Sequence, residues 1–166
     1  MPVIATLVVG ADGSTSRNGN SAGVTSEIDR SQFLQRRRTA DCIIIGGNTA
    51  RTEPYHRTPV PVVVISRSLV NPLADNRLAH CWNLSPIKAL DKAIVMFGPR
   101  VHIEAGISII NELLLQDRID ELELSITESS GGEDRIEVEE LLNHFSSIKE
   151  IVSDGTRLIS AKKLLD

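Results

Sequence analysis

The sequence predicts an α/β fold with a mainly parallel central sheet and antiparallel strands at its C-terminal edge. Two stretches, residues 41–49 and 101–109, run from an apolar strand through glycine directly into a helix, as parallel sheets require. The C-terminal region instead places strand patterns around Asp154-Gly155, which favours an antiparallel hairpin. With 166 residues, 41% of them hydrophobic, the chain is long enough for one ordinary core. We therefore expect a single domain over residues 1–166.

Each expected element follows from local patterning. Apolar, β-branched runs and one alternating run predict strands at Val3–Val9, Asp41–Ile45, Val60–Ser66, Arg100–Glu104 and Asp120–Thr127. Capping residues and helical spacing predict helices over Ser26–Arg38, Ser85–Met96, Ile107–Arg118 and Glu137–His144. The predicted hairpin pairs Ile148–Val152 with Thr156–Ser160. Residues 13–23 and 129–134, rich in glycine and serine, are expected to be surface loops.

Composition excludes several classes of function. A net charge of -4 opposes general binding to nucleic acids or membrane surfaces, because both are anionic. The apolar run at the N-terminus is too short for a signal peptide or a membrane span, so we expect a cytoplasmic protein. The two cysteines, Cys42 in a strand and Cys81 in an expected polar loop, and the scattered histidines offer no metal-ligand spacing. We therefore expect no metal.

The two glycine turns are the first candidates for a functional site. A strand that passes through glycine into a helix leaves backbone N–H groups pointing at one place, where a phosphate can bind. Strand ends of a parallel sheet also face one crevice. Each turn alone is equally explained as a simple tight turn. Arg51 and Arg57, expected in the irregular segment after Gly46-Gly47, could hold a phosphate there.

Glu104 ends an apolar strand just before Ala105-Gly106. An acid at this point is costly to bury without partners. It either contacts a ligand or a nearby cation and donor set, or it only stabilises the N-terminus of its own helix. The sequence leaves both possibilities open.

The ordered succession of these motifs resembles the reductase domain of riboflavin biosynthesis, the C-terminal half of bacterial deaminase/reductase proteins. The resemblance is carried by Asp12-Gly13, Gly19-Asn-Ser21-Ala-Gly-Val-Thr25-Ser, Arg37 leading into Asp41-Cys-Ile-Ile-Ile-Gly-Gly-Asn-Thr-Ala-Arg-Thr-Glu-Pro54, Glu104-Ala-Gly106, Ile119-Asp-Glu-Leu122 and Asp154-Gly-Thr-Arg-Leu158. It implies a three-layer dihydrofolate-reductase-like fold with helices on both faces of the sheet. It also implies a homodimer. The deaminase signature is absent from this sequence, so we expect a stand-alone reductase.

The resemblance further implies NADPH as hydride donor and a phosphorylated pyrimidine as substrate, a phosphoribosylamino-pyrimidine whose ribosyl group is reduced to a ribityl chain. The implied cofactor contacts are Gly46, Gly47, Thr49, Glu104, Ala105, Gly106, Ile107 and Ser108. The implied substrate contacts are Ser21, Arg37, Glu53 and Arg57, and the implied catalytic residues are Glu104 and Glu53. Hydride transfer requires mainly that the protein holds the two reactants in contact.

Several positions depart from the family pattern. Thr6 stands where the family has a lysine, Gly23 stands where it has a large aromatic residue, and the stretch between Ser66 and Val101 is shorter. Threonine cannot supply the cation of a lysine. Thr6 and Gly23 favour a related reductase acting on another pyrimidine or pterin-like compound. A non-catalytic nucleotide-binding subunit, which keeps the glycine turns and loses the substrate site, is a third possibility.

Overall fold

The computed structural model describes residues 2–164, and these divide into two units. The first unit contains the start of the chain up to Ala5 together with Gln35–Ile119. The second contains Thr6–Leu34 and the chain from Asp120 onward. The boundary falls within the first strand and within the first helix. The expectation of a single domain over residues 1–166 stays a prediction.

Ten strands and five α-helices are found in the described residues. The strands are β1 (Ile4–Val9), β2 (Ser14–Ser16), β3 (Cys42–Gly46), β4 (Val62–Ile65), β5 (Ala79–Trp82), β6 (Val101–Ile103), β7 (Glu121–Ile126), β8 (Glu133–Arg135), β9 (Ser147–Ser153) and β10 (Thr156–Lys162). The helices are α1 (Glu27–Arg37), α2 (Gly47–Thr52), α3 (Pro86–Phe97), α4 (Ile107–Leu115) and α5 (Val138–Leu142), with a 3-10 turn at Ser21–Gly23.

A parallel sheet forms the centre of the first unit. Its strand order is β5-β4-β3-β6-β1, and every one of these neighbouring pairs is parallel. In β3, Cys42 and the three isoleucines after it are fully buried, because a central parallel strand is covered on both faces. The mainly parallel α/β fold predicted from the sequence is confirmed here.

Helix α3 begins where its cap predicts. The Ser85 hydroxyl accepts the backbone N–H of Lys88 at 3.4 Å, and Pro86 occupies the first turn of α3. Helix α4 buries Ile110, Leu113 and Leu114. It ends at Leu115 rather than at Arg118, because Asp117 adopts a left-handed conformation with φ of 58° and the backbone turns away.

Antiparallel pairing dominates the second unit. Its strand order is β1-β7-β10-β9, and β10 is antiparallel to both β7 and β9. Asp154 and Gly155 connect β9 to β10 with φ values of 48° and 77°, as a two-residue hairpin turn requires. The predicted C-terminal hairpin is therefore confirmed.

Two segments expected to be surface loops instead pair with each other. Strand β2 lies within residues 13–23, and β8 overlaps the predicted loop 129–134; the two are antiparallel. Ser14 is fully buried, and the Thr15 hydroxyl donates to the carbonyl of Asp134 at 2.9 Å. The loop prediction was wrong at β2 and β8, because these short strands are polar and are held by long-range hydrogen bonds, which leave no hydrophobic period in the sequence.

Two placements in the first unit also differ from expectation. Cys81 lies in strand β5, which pairs with β4, and not in a polar loop. Arg51 lies in the last turn of helix α2, and not in an irregular segment. Both differences arise because β5 and α2 are short and depend on their neighbours. Within residues 2–164, no helix combines the length and the apolar character needed to cross a membrane.

Candidate active site

Two uncapped helix N-termini follow strands of the parallel sheet. Gly46 is the N-cap of α2 and Gly106 is the N-cap of α4, and both have ordinary extended backbone with φ of -89° and -64°. No side chain caps either helix. The backbone N–H groups of the first turns are therefore left for another acceptor at the carboxyl ends of the strands.

The glycines of these two turns differ in their surroundings. A Cβ placed on Gly106 would meet no atom within 4 Å. A Cβ placed on Gly47 would lie 3.0 Å from the Ser66 hydroxyl oxygen and 3.2 Å from Nη1 of Arg51. Gly106 thus leaves open space in front of α4, which suits the approach of a ligand, whereas Gly47 permits close packing of protein side chains.

Glu104, Arg37 and Tyr55 form a buried cluster, which we call the Glu104 triad. Glu104 Oε1 accepts the Tyr55 hydroxyl at 2.7 Å and Nη2 of Arg37 at 2.8 Å. Nε of Arg37 donates to Oε2 at 3.5 Å. The Arg37 guanidinium carbon also lies 4.8 Å from the centroid of the Tyr55 ring, within cation–π range. Of the two open possibilities for Glu104, the structure shows a cation and donor set.

Burial and charge act in opposite directions within the Glu104 triad. Burial raises the pKa of Glu104 above its ordinary value, and the hydrogen-bonded Arg37 and Tyr55 oppose that rise. Burial alone would lower the pKa of Arg37, but the Glu104 carboxylate raises it. Burial and then Glu104 raise the pKa of Tyr55 well above the usual range. Tyr55 is therefore a neutral donor, and the short contacts describe an ion pair with one additional donor.

His102 lies in strand β6, as predicted for a strand residue, and precedes Glu104 by two residues. Its side chain is buried, and Nδ1 has no hydrogen-bond partner among residues 2–164. Burial, followed by the charges of Arg36 and Arg37, lowers its pKa from 6.5 to about 4. His102 is therefore neutral near pH 7.

The other predicted site residues occupy defined positions. Thr49 lies in α2, and Glu53 is the C-cap of that helix, with its backbone N–H bonded to the Thr49 carbonyl at 2.9 Å. Arg57 is exposed. The first unit contains all of the predicted cofactor and substrate residues except Ser21, which lies in the 3-10 turn of the second unit. The binding and catalytic roles given to these residues stay predictions.

Tyr55 was not predicted from the sequence. It directly follows Glu53-Pro54 and is the only tyrosine of the chain. A tyrosine in such a segment is usually half exposed, and nothing local indicates that it reaches a carboxylate 49 residues away. The one signal for Tyr55 in the sequence was Glu104 itself, because a carboxylate that is expected to be buried requires a hydrogen-bond donor nearby.

The structure also shows what surrounds Thr6 and Gly23, two positions that depart from the family pattern. Thr6 is buried, and its hydroxyl has no hydrogen-bond partner within residues 2–164. A Cβ placed on Gly23 would lie 2.5 Å from Cβ of Arg17. Arg17 therefore occupies the space that a larger side chain at position 23 would need. In the described part of the chain, no group of three or more His, Cys, Asp or Glu residues could hold a metal ion.

Comparison with known proteins gives one family and several similar structures. The family model for the RibD C-terminal domain matches residues 2–133. No curated protein matches the chain.

Among solved structures, a protein from Shewanella sp. PV-4 assigned to riboflavin biosynthesis is 18% identical, with a TM-score of 0.75, covering 99% of this chain and 100% of that one. A pyrimidine reductase-like protein from Corynebacterium diphtheriae is also 18% identical, with a TM-score of 0.70, covering 99% of this chain and 93% of the other. The bifunctional deaminase/reductase of Thermotoga maritima is 15% identical, with a TM-score of 0.68, covering 98% of this chain and 57% of that protein. At these identities, the likeness shows the fold.

Proposed function

The chain belongs to the RibD C-terminal domain family, and on that premise we propose that it is an NADPH-dependent reductase of the riboflavin pathway. The substrate in this proposal is a 5-amino-6-(5-phosphoribosylamino)pyrimidine, whose ribosyl group becomes a ribityl chain. Membership in a family of pyrimidine reductases supports the reaction class. The cofactor and the exact substrate are the part that we propose.

The connection from β6 to α4 carries the proposal. It places Glu104, fixed by Arg37 and Tyr55, two residues before Gly106, with open space at Gly106 and no side chain capping α4. Free backbone donors and open space fit the phosphates of a dinucleotide. In this proposal, the N–H groups of Ile107 and Ser108 hold those phosphates.

The choice of NADPH over NADH depends on the extra phosphate of NADPH. Arg51 and Ser66 both approach Gly47, and the exposed Arg67 follows Ser66 directly. Neither Arg51 nor Arg67 forms an ion pair with another described residue. Arg51 lies near the Ser66 hydroxyl at Gly47, and a guanidinium beside a hydroxyl supplies the donors that a phosphate needs, which supports NADPH.

Reduction of the ribosyl group adds one hydride to the anomeric carbon and one proton to the ring oxygen that leaves it. NADPH supplies the hydride when bound. Of the residues proposed for the substrate, the three in the first unit, Arg37, Glu53 and Arg57, orient its ribose and phosphate. Of the two acids proposed as catalytic, Glu104 is buried and Glu53 is half-buried, so Glu53 is the better placed to exchange a proton with water.

Thr6 supports a second candidate, a related reductase with another pyrimidine or pterin-like substrate. Because Thr6 is buried and uncharged, it does not supply the cation that the family lysine would supply. A protein that binds the cofactor without reducing any pyrimidine would instead be a non-catalytic nucleotide-binding subunit. For either enzyme, we propose a cytoplasmic location, where thiols such as Cys42 and Cys81 stay reduced.

Binding and turnover measured on the same purified protein test the proposal. NADPH and NADH are titrated separately, and nicotinamide absorbance is then followed after the phosphoribosylamino-pyrimidine is added. We expect tighter binding of NADPH and its oxidation by this substrate. Binding without oxidation would favour another substrate or a non-catalytic role, and no binding would contradict the cofactor proposal.

Arg57→Ala tests the substrate side of the site. If Arg57 holds the substrate phosphate, the variant should raise KM by roughly tenfold or more and leave NADPH affinity unchanged, since a charge-assisted hydrogen bond is worth about 1.5–3 kcal/mol. Arg77→Ala, at another exposed arginine of the first unit, is the matched control and should change neither value. Equal losses for both ligands in Arg57→Ala would contradict the assigned role.

A further inference from the structure

Tyr55 is held more firmly than a residue in a connecting segment needs to be. Its side chain packs in a buried cluster that includes Ile43, Val62 and Leu73. Its carbonyl accepts Nδ2 of Asn76 at 2.9 Å. Both ring and backbone are therefore fixed, and the hydroxyl has a defined position at the end of a rigid group.

The hydroxyl of Tyr55 makes the two oxygens of Glu104 different. Oε1 accepts two short hydrogen bonds, from Tyr55 at 2.7 Å and from Nη2 of Arg37 at 2.8 Å. Within residues 2–164, Oε2 accepts only the long hydrogen bond from Nε of Arg37, at 3.5 Å. A carboxylate oxygen has room for about two donors, so Oε1 is saturated, whereas Oε2 keeps capacity for another donor.

We propose that Tyr55 is a positioning residue that fixes Oε1 of Glu104 and holds Arg37 against the carboxylate, so that Oε2 keeps its remaining hydrogen-bonding capacity. The inference rests on the proposed reductase function, in which Glu104 borders the reacting end of the substrate. Tyr55 acts through Glu104 and Arg37 and does not itself touch the substrate. Its removal leaves the ion pair buried with one donor fewer, which is the costly condition for such a pair.

This role has a pH signature. The charged and titratable groups that act on Glu104 are Arg36 and Arg37 from α1 and the Tyr55 hydroxyl. His102 lies two residues earlier, in β6. Burial raises the pKa of Glu104, while the Tyr55 hydrogen bond lowers it. In Tyr55→Phe, the pKa of Glu104 therefore rises. Since the ionised carboxylate is the form that holds Arg37, activity in the variant is lost at a higher pH than in the native protein.

The first experiment needs neither substrate nor cofactor. Because Tyr55 is the only tyrosine, protein labelled with carbon-13 at the phenolic ring carbon of tyrosine gives a single resonance. We expect this resonance to shift with pH as Glu104 titrates, and the shift to disappear in Glu104→Gln. A resonance that does not respond to pH while the protein stays folded, or that responds equally in Glu104→Gln, would contradict the proposed interaction between Tyr55 and Glu104.

The second experiment compares the acidic limb of the kcat/KM profile in native protein and in Tyr55→Phe. We expect the acidic limb of the Tyr55→Phe profile to shift to higher pH by roughly one unit. A hydrogen bond to a charged group is worth about 1.5 kcal/mol, and one pKa unit is 1.36 kcal/mol. Thr127→Val is the control, since it removes a buried hydroxyl that donates to the Val24 carbonyl and should leave the limb in place.

The two experiments separate failure of this inference from failure of the proposed function. An unmoved acidic limb in an active Tyr55→Phe protein overturns the positioning role and leaves the reductase intact. Native protein that does not oxidise NADPH with the pyrimidine contradicts the proposed function. In that case the tyrosine resonance still decides whether Tyr55 controls Glu104.

Discussion

At the scale of single residues, the buried polar groups separate structural requirements from functional ones. Thr6 and Thr127 are both buried threonines of the second unit, but only Thr127 uses its hydroxyl, which donates to the Val24 carbonyl at 2.5 Å. The Thr6 hydroxyl has no partner among the described residues. A buried hydroxyl without a partner lowers stability, whereas a paired one contributes to it.

This contrast predicts opposite effects of one substitution. Thr6→Val should leave the free energy of unfolding unchanged or raise it by about 1 kcal/mol, because valine has the same shape and no unmet hydrogen bond. Thr127→Val should lower it by about 1–2 kcal/mol. Urea denaturation of both variants measures the difference. A loss in Thr6→Val as large as that in Thr127→Val would show that the Thr6 hydroxyl has an important partner.

A second residue-scale prediction concerns Gly106, whose missing side chain leaves open space before α4. Gly106→Val should weaken NADPH binding by roughly tenfold or more, because a side chain there obstructs the phosphates. Its thermal stability should change little. Ser85→Val is the control: it removes the cap of α3, should cost about 1 kcal/mol of stability, and should leave NADPH affinity intact. Unaltered NADPH binding in Gly106→Val would remove this turn from the cofactor site.

At the scale of elements, strand β6 carries a buried, neutral histidine two residues before Glu104. His102 has a folded-state pKa of about 4 against 6.5 for an ordinary histidine. Between these pH values the unfolded chain binds a proton that the folded protein does not. The contribution of His102 to stability is therefore complete above pH 6.5 and is lost as the pH falls toward 4.

His102→Leu should remove this loss. We expect the free energy of unfolding to fall less steeply from pH 6.5 to pH 4 in the variant than in the native protein, by about 3 kcal/mol at most, since each pKa unit is worth 1.36 kcal/mol. Denaturant titrations at several pH values in this window measure it. Glu104, whose pKa is raised, changes the free energy of unfolding in the opposite direction as the pH falls. It is present in both proteins, so it does not account for the difference between them. Parallel curves for the two proteins would contradict the assigned pKa.

The elements that could be predicted from the sequence are those whose information is local. Helix α3 carries its own cap in Ser85-Pro86, and β3 is a continuous apolar run. Strand β5 was missed because its four residues are all half-buried and show neither an apolar run nor an alternating pattern. For the site, the glycine turns were predictable, but the contact of Glu104 with Tyr55 was not, because Tyr55 reaches it only through the folded chain.

At the scale of the whole molecule, β9 is the feature that indicates self-association. It pairs with β10 on one side and is the last strand of the second unit's order. Ile148, Ile151 and Val152 are 50%, 68% and 64% exposed. Adjacent residues of a strand point to opposite faces, so apolar side chains are exposed on both faces of β9. Long apolar edge strands of this kind are usually covered by another chain.

We propose that β9 is part of a homodimer interface, and Ile151→Lys tests it. In a dimer formed through β9, the buried lysine should shift the equilibrium strongly toward monomer, because an unpaired charge is costly to desolvate. Sedimentation velocity over a range of protein concentrations measures the change. Leu69→Lys is the matched control, since Leu69 is fully exposed in the first unit and should leave association unchanged. A native protein that stays monomeric at all concentrations, or an Ile151→Lys variant that remains dimeric, would exclude β9 from the interface. The measurement needs neither cofactor nor substrate, because the proposed interface consists of side chains of β9.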